Sequence, residues 1–187
     1  MFEKEIRVIG IDDSPFDKFR QKDALVVGVI MRGGSWIEGI LSTRVDVDGA
    51  NATDKIIQMI NICKFKPQLQ CIFLNGIAVA GFNVIDIRKL NNKTGLPVVI
   101  IIRNMPDIQK IKRALIRLKS KNNIKLIEKA GKVVKINNVF VQLAGIKEYE
   151  AREILGIVCT RSLLPEPLRL AHIIASGIVS GESKGRA

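Results

Sequence analysis

The fold is decided near the start of the chain, where residues 6–49 read IRVIGIDDSPFDKFRQKDALVVGVIMRGGSWIEGILSTRVDVDG. Three apolar runs rich in β-branched residues follow one another, at 6–11, 24–33 and 35–47. Asp-Ser-Pro ends the first run, Gly33-Gly34 forms a tight turn before the third, and Asp48-Gly49 closes it. We therefore predict three strands joined as an antiparallel meander.

The remainder of the chain alternates between the two kinds of element. We predict helices at 54–65 (capped by Thr53 and stopped by Pro67), 82–91, 108–120, 148–162 and 165–181. We predict buried strands at 70–77 and 98–103, and one or two more within 124–146, with Asn137-Asn138 as a candidate turn. This order predicts one α/β domain over residues 1–187, a mixed sheet with helices on both faces. Ribonuclease H-like nucleases have the same order of meander and crossover, and other α/β folds could also give it.

The balance of charge points to a polyanionic partner. The 187 residues carry 30 Lys and Arg against 18 Asp and Glu, a formal charge of +12. Nucleic acid is favoured over a membrane, because no stretch is typical of a transmembrane span. Lys-rich surfaces also serve solubility, so charge alone leaves both explanations open.

The cysteines favour a reducing compartment. Cys63, Cys71 and Cys159 form no CxxC pair and no zinc-site spacing with the single His172, so we predict buried free thiols. The first residues contain no signal-peptide apolar region, and a cytoplasmic location is the expectation. Without a Gly-rich phosphate loop, GxSxG or HExxH, the sequence argues against a nucleoside-triphosphate enzyme, a serine hydrolase and a zinc protease, and it suggests no organic cofactor.

Polar side chains follow several predicted strands at the point where each strand ends. Asp12 and Asp13 follow the first strand, Asp46 and Asp48 the third, and Asn75 the first parallel strand. Ligands gather at the carboxyl ends of parallel strands, and Mg²⁺ prefers carboxylate and amide oxygens. A divalent ion there would suit phosphodiester cleavage. Asp-Ser-Pro and Asp-Gly are also ordinary turn formers, and a lone His on an apolar helix is typical of a packed residue.

Several motifs, in order along the chain, resemble one known family. They are RVIGIDDSPF, WIEGILST, VDVDGANAT, LNGIAVAGFNVIDI, TGLPVVIIIR, LLPEPLRLAHIIASGI and GESKGRA. The series is similar to an archaeal family first described as a domain of unknown function (DUF99, UPF0215) and later labelled endonuclease dU. The resemblance covers essentially the whole chain. That family in turn resembles endonuclease V, a Mg²⁺-dependent nuclease of ribonuclease H-like fold that cuts near deaminated bases.

The resemblance implies a set of metal-binding positions. Gly10-Ile11-Asp12 matches the strand whose Asp binds the metal, so Asp12 inherits that role. The catalytic Glu of strand three falls on Val45, so its role passes to Asp46 or Asp48, of which Asp48 sits in the Val-Asp-Gly stretch typical of the family. Asn75-Gly76 matches the Asp-Gly of the third position. The resemblance therefore implies Asp12, Asp48 and Asn75 as catalytic residues, with Asp46 as a further metal ligand for Mg²⁺ or Mn²⁺.

The same resemblance implies nucleic-acid contacts and shows departures. Arg103 matches a Lys that faces the substrate, and Ser14, Arg169 and His172 are further expected contacts. Asn75 replaces a carboxylate, and the His that follows Asp-Gly in endonuclease V falls on Gly81. A site with less negative charge holds Mg²⁺ more weakly.

Three functions remain open at the level of sequence. The first is a metal-dependent endonuclease that acts on deaminated, uracil-containing DNA in repair. The second is a nucleic-acid-binding protein of nuclease fold whose catalysis is weakened or lost, an interpretation that Asn75 supports. The third is a structural or partner-binding protein whose positive charge serves solubility only.

Overall fold

The computed structural model describes residues 2–117 and 120–183. Its strands are β1 (Arg7–Asp13), β2 (Asp23–Arg32), β3 (Trp36–Asp46), β4 (Cys71–Asn75), β5 (Ala78–Val79), β6 (Asn83–Val84), β7 (Val98–Ile102), β8 (Val134–Ile136) and β9 (Val139–Ala144). Its α-helices are α1 (Ala52–Asn61), α2 (Ile87–Thr94), α3 (Ile108–Arg117), α4 (Lys121–Lys129), α5 (Glu148–Val158) and α6 (Glu166–Ser180).

Seven strands form one mixed sheet in the order β3-β2-β1-β4-β7-β9-β8. The first three strands make the predicted antiparallel meander, and β4 and β7 add to it in parallel with β1. Strand β9 pairs antiparallel with β7, and β8 pairs antiparallel with β9. Strands β1, β4 and β7 therefore end along the same side of the sheet, which we call the carboxyl edge. The predicted α/β class with a mixed sheet is confirmed.

Helices cover both faces of this sheet because alternate residues of each buried strand point in opposite directions. On one face, Ile9 and Ile11 of β1 pack with α1 and α2. On the other, Val8 packs in the cluster that contains α5 and the start of α6, and α6 also covers β2. A Cβ atom at Gly10 would lie 2.3 Å from the backbone nitrogen of Leu168, so glycine is what lets α6 approach β1 so closely.

The helix predicted at 82–91 is wrong in its first part. Residues 83–84 form β6, which pairs with β5 around a turn in which Ala80 and Gly81 have positive φ. The helix begins only at Ile87, because the Asp86 carboxylate caps it by accepting a hydrogen bond from the Lys89 N–H at 2.9 Å. The short β5–β6 hairpin was missed, since two-residue strands carry no periodic signal.

The strands predicted within 124–146 are also partly wrong. The stretch from Lys121 to Lys129 is helix α4, and its buried side chains recur at helical spacing, with Asn123 and Ile127 facing inward. The hairpin β8–β9 follows, and its turn contains Asn137 at a φ of 53°, as the Asn-Asn pair predicts.

Other boundaries differ by a few residues. Helix α1 ends at Asn61 rather than residue 65, and Thr53 does not cap it, because its hydroxyl accepts a hydrogen bond from the Asp86 N–H instead. The basic helix predicted at 108–120 is α3, and residues 118–119 lie outside the described part of the chain. Both closing helices are confirmed as α5 and α6.

All three cysteines are free, as predicted. Cys71 is fully buried, whereas Cys63 and Cys159 are only half-buried. Burial raises the pKa of the Cys71 thiol, and burial with the nearby charge of Glu166 raises the pKa of Cys159 to about 12. Within residues 2–117 and 120–183, no helix is long and apolar enough to cross a bilayer.

Candidate active site at the carboxyl edge

The Asp12 side chain is a carboxylate buried at the end of β1, with only 3% of the residue exposed. Its Oδ2 accepts hydrogen bonds from Asn75 Nδ2 at 3.0 Å and from His172 Nδ1 at 2.9 Å. Its Oδ1 accepts a third from the Asp13 N–H at 3.0 Å. Three donors offset the cost of burying this charge, and two of them are side chains of other elements.

The topology brings these three side chains together. Ile11 of β1 lies in register with Leu74 of the parallel strand β4, so the next residue of each strand, Asp12 and Asn75, are neighbours at the carboxyl edge. His172 lies on α6, one turn beyond Leu168, the residue that packs on Gly10. One helical turn advances about 5–6 Å and two strand residues about 6.6 Å, so His172 reaches the level of Asp12.

Asp13 contacts a different part of the molecule. Its Oδ2 accepts a hydrogen bond from the Ala80 N–H in the β5–β6 turn at 2.7 Å. Burial raises the pKa of Asp13 to about 6, and the neighbouring charge of Asp12 adds to the rise, although backbone hydrogen bonds oppose it. Asp13 thus bonds to the β5–β6 turn and not to the Ser14-Pro15 segment that follows it in the chain.

Asp48 holds the same β5–β6 turn from the other side. Its backbone N–H donates to the Ala80 carbonyl, and its Oδ1 accepts from the Phe82 N–H, each at 2.9 Å. Its Oδ2 pairs with Lys18 Nζ at 2.8 Å. Burial acts to raise the pKa of Asp48, but the hydrogen bonds from Lys18 and Phe82 and the charge of Lys18 hold it below its ordinary value.

The four residues implied as metal ligands thus make different contacts. Asp12 and Asn75 are hydrogen-bonded to each other, Asp48 bonds to Lys18 and the hairpin, and the Asp46 residue is exposed while its backbone bonds to Asn51 and Asn83. Among residues 2–117 and 120–183, no three His, Cys, Asp or Glu side chains are arranged to hold a metal ion.

A divalent cation nevertheless fits the donors at Asp12. The Asn75 amide turns its NH₂ toward the carboxylate, and a 180° rotation about its last bond would turn the carbonyl oxygen there instead. One carboxylate and one amide oxygen suit Mg²⁺, which keeps several of its own waters and needs few protein ligands. These two side chains would hold such an ion weakly, because only Asp12 carries a charge.

The expected nucleic-acid contacts are distributed differently. Ser14 is buried, and Arg169 donates two hydrogen bonds to Glu166 Oε2, at 2.9 and 2.8 Å. Arg103 directly follows β7 at the carboxyl edge and lines a pocket of about 390 Å³ together with Asn104, Asn138, Val139, Ser162, Leu163 and Leu164. His172 faces Asp12 directly, a pairing that sequence reasoning missed.

The structure explains why Gly81 stands at the position that the resemblance to endonuclease V assigns to a histidine. Its φ is +85°, and an added Cβ would lie 2.4 Å from Asp48 Oδ1. No side chain fits at this position while Asp48 holds the turn. The imidazole at the carboxyl edge is supplied instead by α6.

Comparison with known proteins places the chain among archaeal relatives. The family model described as endonuclease dU matches residues 4–179. A UPF0215 protein of Methanothermobacter thermautotrophicus is 47% identical, over 98% of this chain and 92% of that protein. The crystal structure of a protein of unknown function from Archaeoglobus fulgidus superposes with a TM-score of 0.87 at 38% identity, covering 92% of this chain and 97% of that one.

More distant structures share the fold. Human endonuclease V is similar with a TM-score of 0.62 at 14% identity, over 94% of this chain and 84% of that one. Endonuclease V of Ciona intestinalis, in complex with a DNA that contains an inosine, gives 0.60 at 15% identity, over 94% and 86%. The expected ribonuclease H-like, endonuclease V-type fold is confirmed.

Proposed function

Because the chain belongs to the endonuclease dU family, we propose that it is a metal-dependent endonuclease that cuts deaminated DNA, with uracil-containing DNA as the substrate. The observation that carries the proposal is the buried Asp12 carboxylate, held by Asn75 and His172 at the carboxyl edge. The fold supports it, since the Ciona enzyme of the same fold is bound to DNA with inosine, whose base is deaminated adenine. The formal charge of +12 suits a polyanionic substrate.

Four side chains would take part in the chemistry. Asp12 and Asn75 would hold a Mg²⁺ or Mn²⁺ ion, which when bound lowers the pKa of water and stabilises charge on the phosphate. The hydrogen bond from His172 Nδ1 to Asp12 fixes the orientation of the imidazole beside the carboxylate, where the ring would exchange a proton with the substrate strand. Arg103, on the same edge, contacts a phosphate of that strand.

A cleavage assay tests the proposal. Labelled DNA with uracil, with hypoxanthine or with no damaged base is incubated with Mg²⁺ or Mn²⁺ and then with EDTA. We expect cuts in the damaged strands only, dependence on the divalent ion, and loss of at least about a hundredfold in rate for Asp12→Ala. The matched control is Asp46→Ala, whose exposed carboxylate lies outside the Asp12 contacts. An Asp12→Ala rate equal to wild type, or no cut in any substrate, would count against the proposal.

A specific observation favours a second candidate, a nucleic-acid-binding protein that has lost catalysis. Asn75 donates to Asp12 and brings no charge of its own, so the carboxylate is already satisfied without an ion. Such a protein would bind DNA with steep salt dependence and no need of a divalent ion. Asn75→Asp separates the two candidates: a large gain in cleavage identifies a weakened nuclease, whereas binding without cleavage in both forms identifies the second candidate.

A further inference from the structure

The loop between β1 and β2, residues 14–22, presents a phenylalanine to solvent. Phe19 is 94% exposed, more than any other large apolar side chain among the described residues. An aromatic ring kept almost wholly in water contributes nothing to the core, and its face is available for stacking. Its position, six residues beyond Asp13 on the same connection, places it next to the carboxyl edge.

The exposure of Phe19 is built into the conformation of the loop. The Asp17 carboxylate accepts a hydrogen bond from the Phe19 N–H at 2.9 Å. The Asp17 carbonyl accepts from the N–H groups of Arg20 and Gln21, and Gln21 Oε1 accepts from the Asp17 N–H at 2.7 Å. These four hydrogen bonds close a compact turn, and Phe19 points outward from it.

Further contacts fix the loop to the candidate active site. Lys18 pairs with Asp48, and its ammonium lies 5.9 Å from the centre of the Phe82 ring, so the loop and the β5–β6 turn are joined. Phe16 packs against the core cluster beneath the sheet. The backbone that carries Phe19 is therefore anchored beside the strand end that carries Asp12 and Asp13.

The chemistry around Phe19 matches unpaired nucleotides. Arg20 pairs with Asp17 at 3.6 Å and still exposes 88% of its side chain, and Lys22 is also exposed, so two cations follow Phe19 in the same loop. Phe19 itself lines an open groove of about 570 Å³ that runs to Val179 and Ser180 at the end of α6. An exposed aromatic face with cations in the same loop is an arrangement by which proteins bind single-stranded nucleic acid, since bases stack on the ring and phosphates meet the charges.

We propose that Phe19 stacks on an unpaired base of a nucleic-acid strand at the carboxyl edge, with Arg20 and Lys22 on its phosphates. The inference rests on the proposed function only for the class of partner, and it does not require cleavage. An endonuclease that extrudes a target base leaves unpaired bases beside its site, and a stacking ring there would hold the opened strand.

Binding in EDTA tests this inference separately from catalysis. Fluorescence anisotropy is recorded with labelled single-stranded DNA and with the same sequence as a duplex, using Phe19→Ala, Phe19→Trp and wild type. The matched control is Tyr149→Ala, another exposed aromatic, at the start of α5 and thus at the opposite edge of the sheet. Phe19→Ala removes no buried contact, so the variant retains the fold.

We expect Phe19→Ala to weaken single-strand binding about tenfold, Phe19→Trp to keep it and Tyr149→Ala to leave it unchanged. The salt slope of Phe19→Ala should stay that of wild type, whereas Arg20→Ala should reduce it by about one. Equal single-strand affinity of wild type and Phe19→Ala overturns the stacking role and leaves the proposed nuclease standing. Wild-type binding to phosphatidylserine vesicles but to no nucleic acid overturns the choice of partner. Retained stacking without cleavage overturns the nuclease alone.

Discussion

Asp12 and Asp48 both lie where a strand of the same sheet ends, yet their side chains make different kinds of contact. Asp12 is bonded by the side chains of Asn75 and His172, groups that can turn toward a ligand. Asp48 is bonded by a backbone N–H of the β5–β6 turn and by Lys18, and it holds that turn in place. The difference lies in what each acid joins: Asp12 gathers side chains from two other elements around one carboxylate oxygen, whereas Asp48 bonds to the β5–β6 turn through both its backbone N–H and its carboxylate.

The largest effect is expected at Gly10, which brings His172 to Asp12. Gly10→Ala forces a methyl group against the backbone of α6 and should cost about 3 kcal/mol of unfolding free energy. Gly177→Ala on the same helix meets no atom within 4 Å and should stabilise by up to about 1 kcal/mol. Urea denaturation measures both, and a Gly10→Ala variant as stable as wild type would contradict the close approach.

Removal of the Asp48 carboxylate should also lower the free energy of unfolding. Asp48→Ala removes the acceptor of the Phe82 N–H and the partner of Lys18 at a residue whose φ is +52°, and should cost about 2 kcal/mol. The pKa of Asp48 is depressed in the native state, so its contribution is complete above its ordinary pKa and declines as the pH falls through the lowered value. Denaturation at pH 7 and pH 3 checks this, and an equal difference between the two proteins at both values would contradict it.

The contribution of Asp13 to stability should depend on pH in the direction opposite to that of Asp48. Its pKa of about 6 lies above the ordinary 3.8, so the native state binds the proton more tightly and stability falls as pH rises from about 4 to about 6. Asp13→Asn keeps an acceptor for the Ala80 N–H without the charge and should stabilise the protein by roughly 2 kcal/mol at pH 7.5. The gain should vanish near pH 4. A variant that is less stable than wild type at pH 7.5 would show that the charge is compensated.

The smallest effect is expected at Asp46. Its residue is exposed, and the contacts that fix this segment are made by its backbone with Asn51 and Asn83. Asp46→Ala should change the unfolding free energy by less than about 0.5 kcal/mol and leave cleavage unchanged. A large loss of cleavage would show that Asp46 is the strand-three ligand.

The sequence predicts most of the sheet and one contact of the site, and the elements that it does not predict lack a sequence pattern for physical reasons. Apolar runs, Gly-Gly and Asp-Gly turns predict the meander, and parallel order predicts that Asp12 meets Asn75. The β5–β6 hairpin is not predicted, because its strands are too short to show a periodic pattern and its turn is held by Asp13 and Asp48, which are distant in sequence. Helix α4 escapes because a short apolar run fits either period.

The contact between His172 and Asp12 is consistent with two spacings in the sequence, but only the packing of α6 on β1 shows that these spacings are aligned. Gly10 and Asp12 are two apart on a strand, and Leu168 and His172 are four apart on a helix, spacings of nearly equal length. Because Leu168 lies on Gly10 and α6 runs in the direction of β1, His172 lies at the level of Asp12. The sequence holds both spacings but not the contact that aligns them.

The central claim is that Asp12, and not Asp48, is the acid of a nuclease site. Single-turnover cleavage of a uracil-containing strand with Mg²⁺ tests it most directly in wild type, Asp12→Asn and Asp48→Asn, since asparagine keeps the shape of each side chain. We predict a loss of at least about a hundredfold for Asp12→Asn and less than about fivefold for Asp48→Asn. Equal losses in the two variants would contradict the account, because both acids would then serve one site.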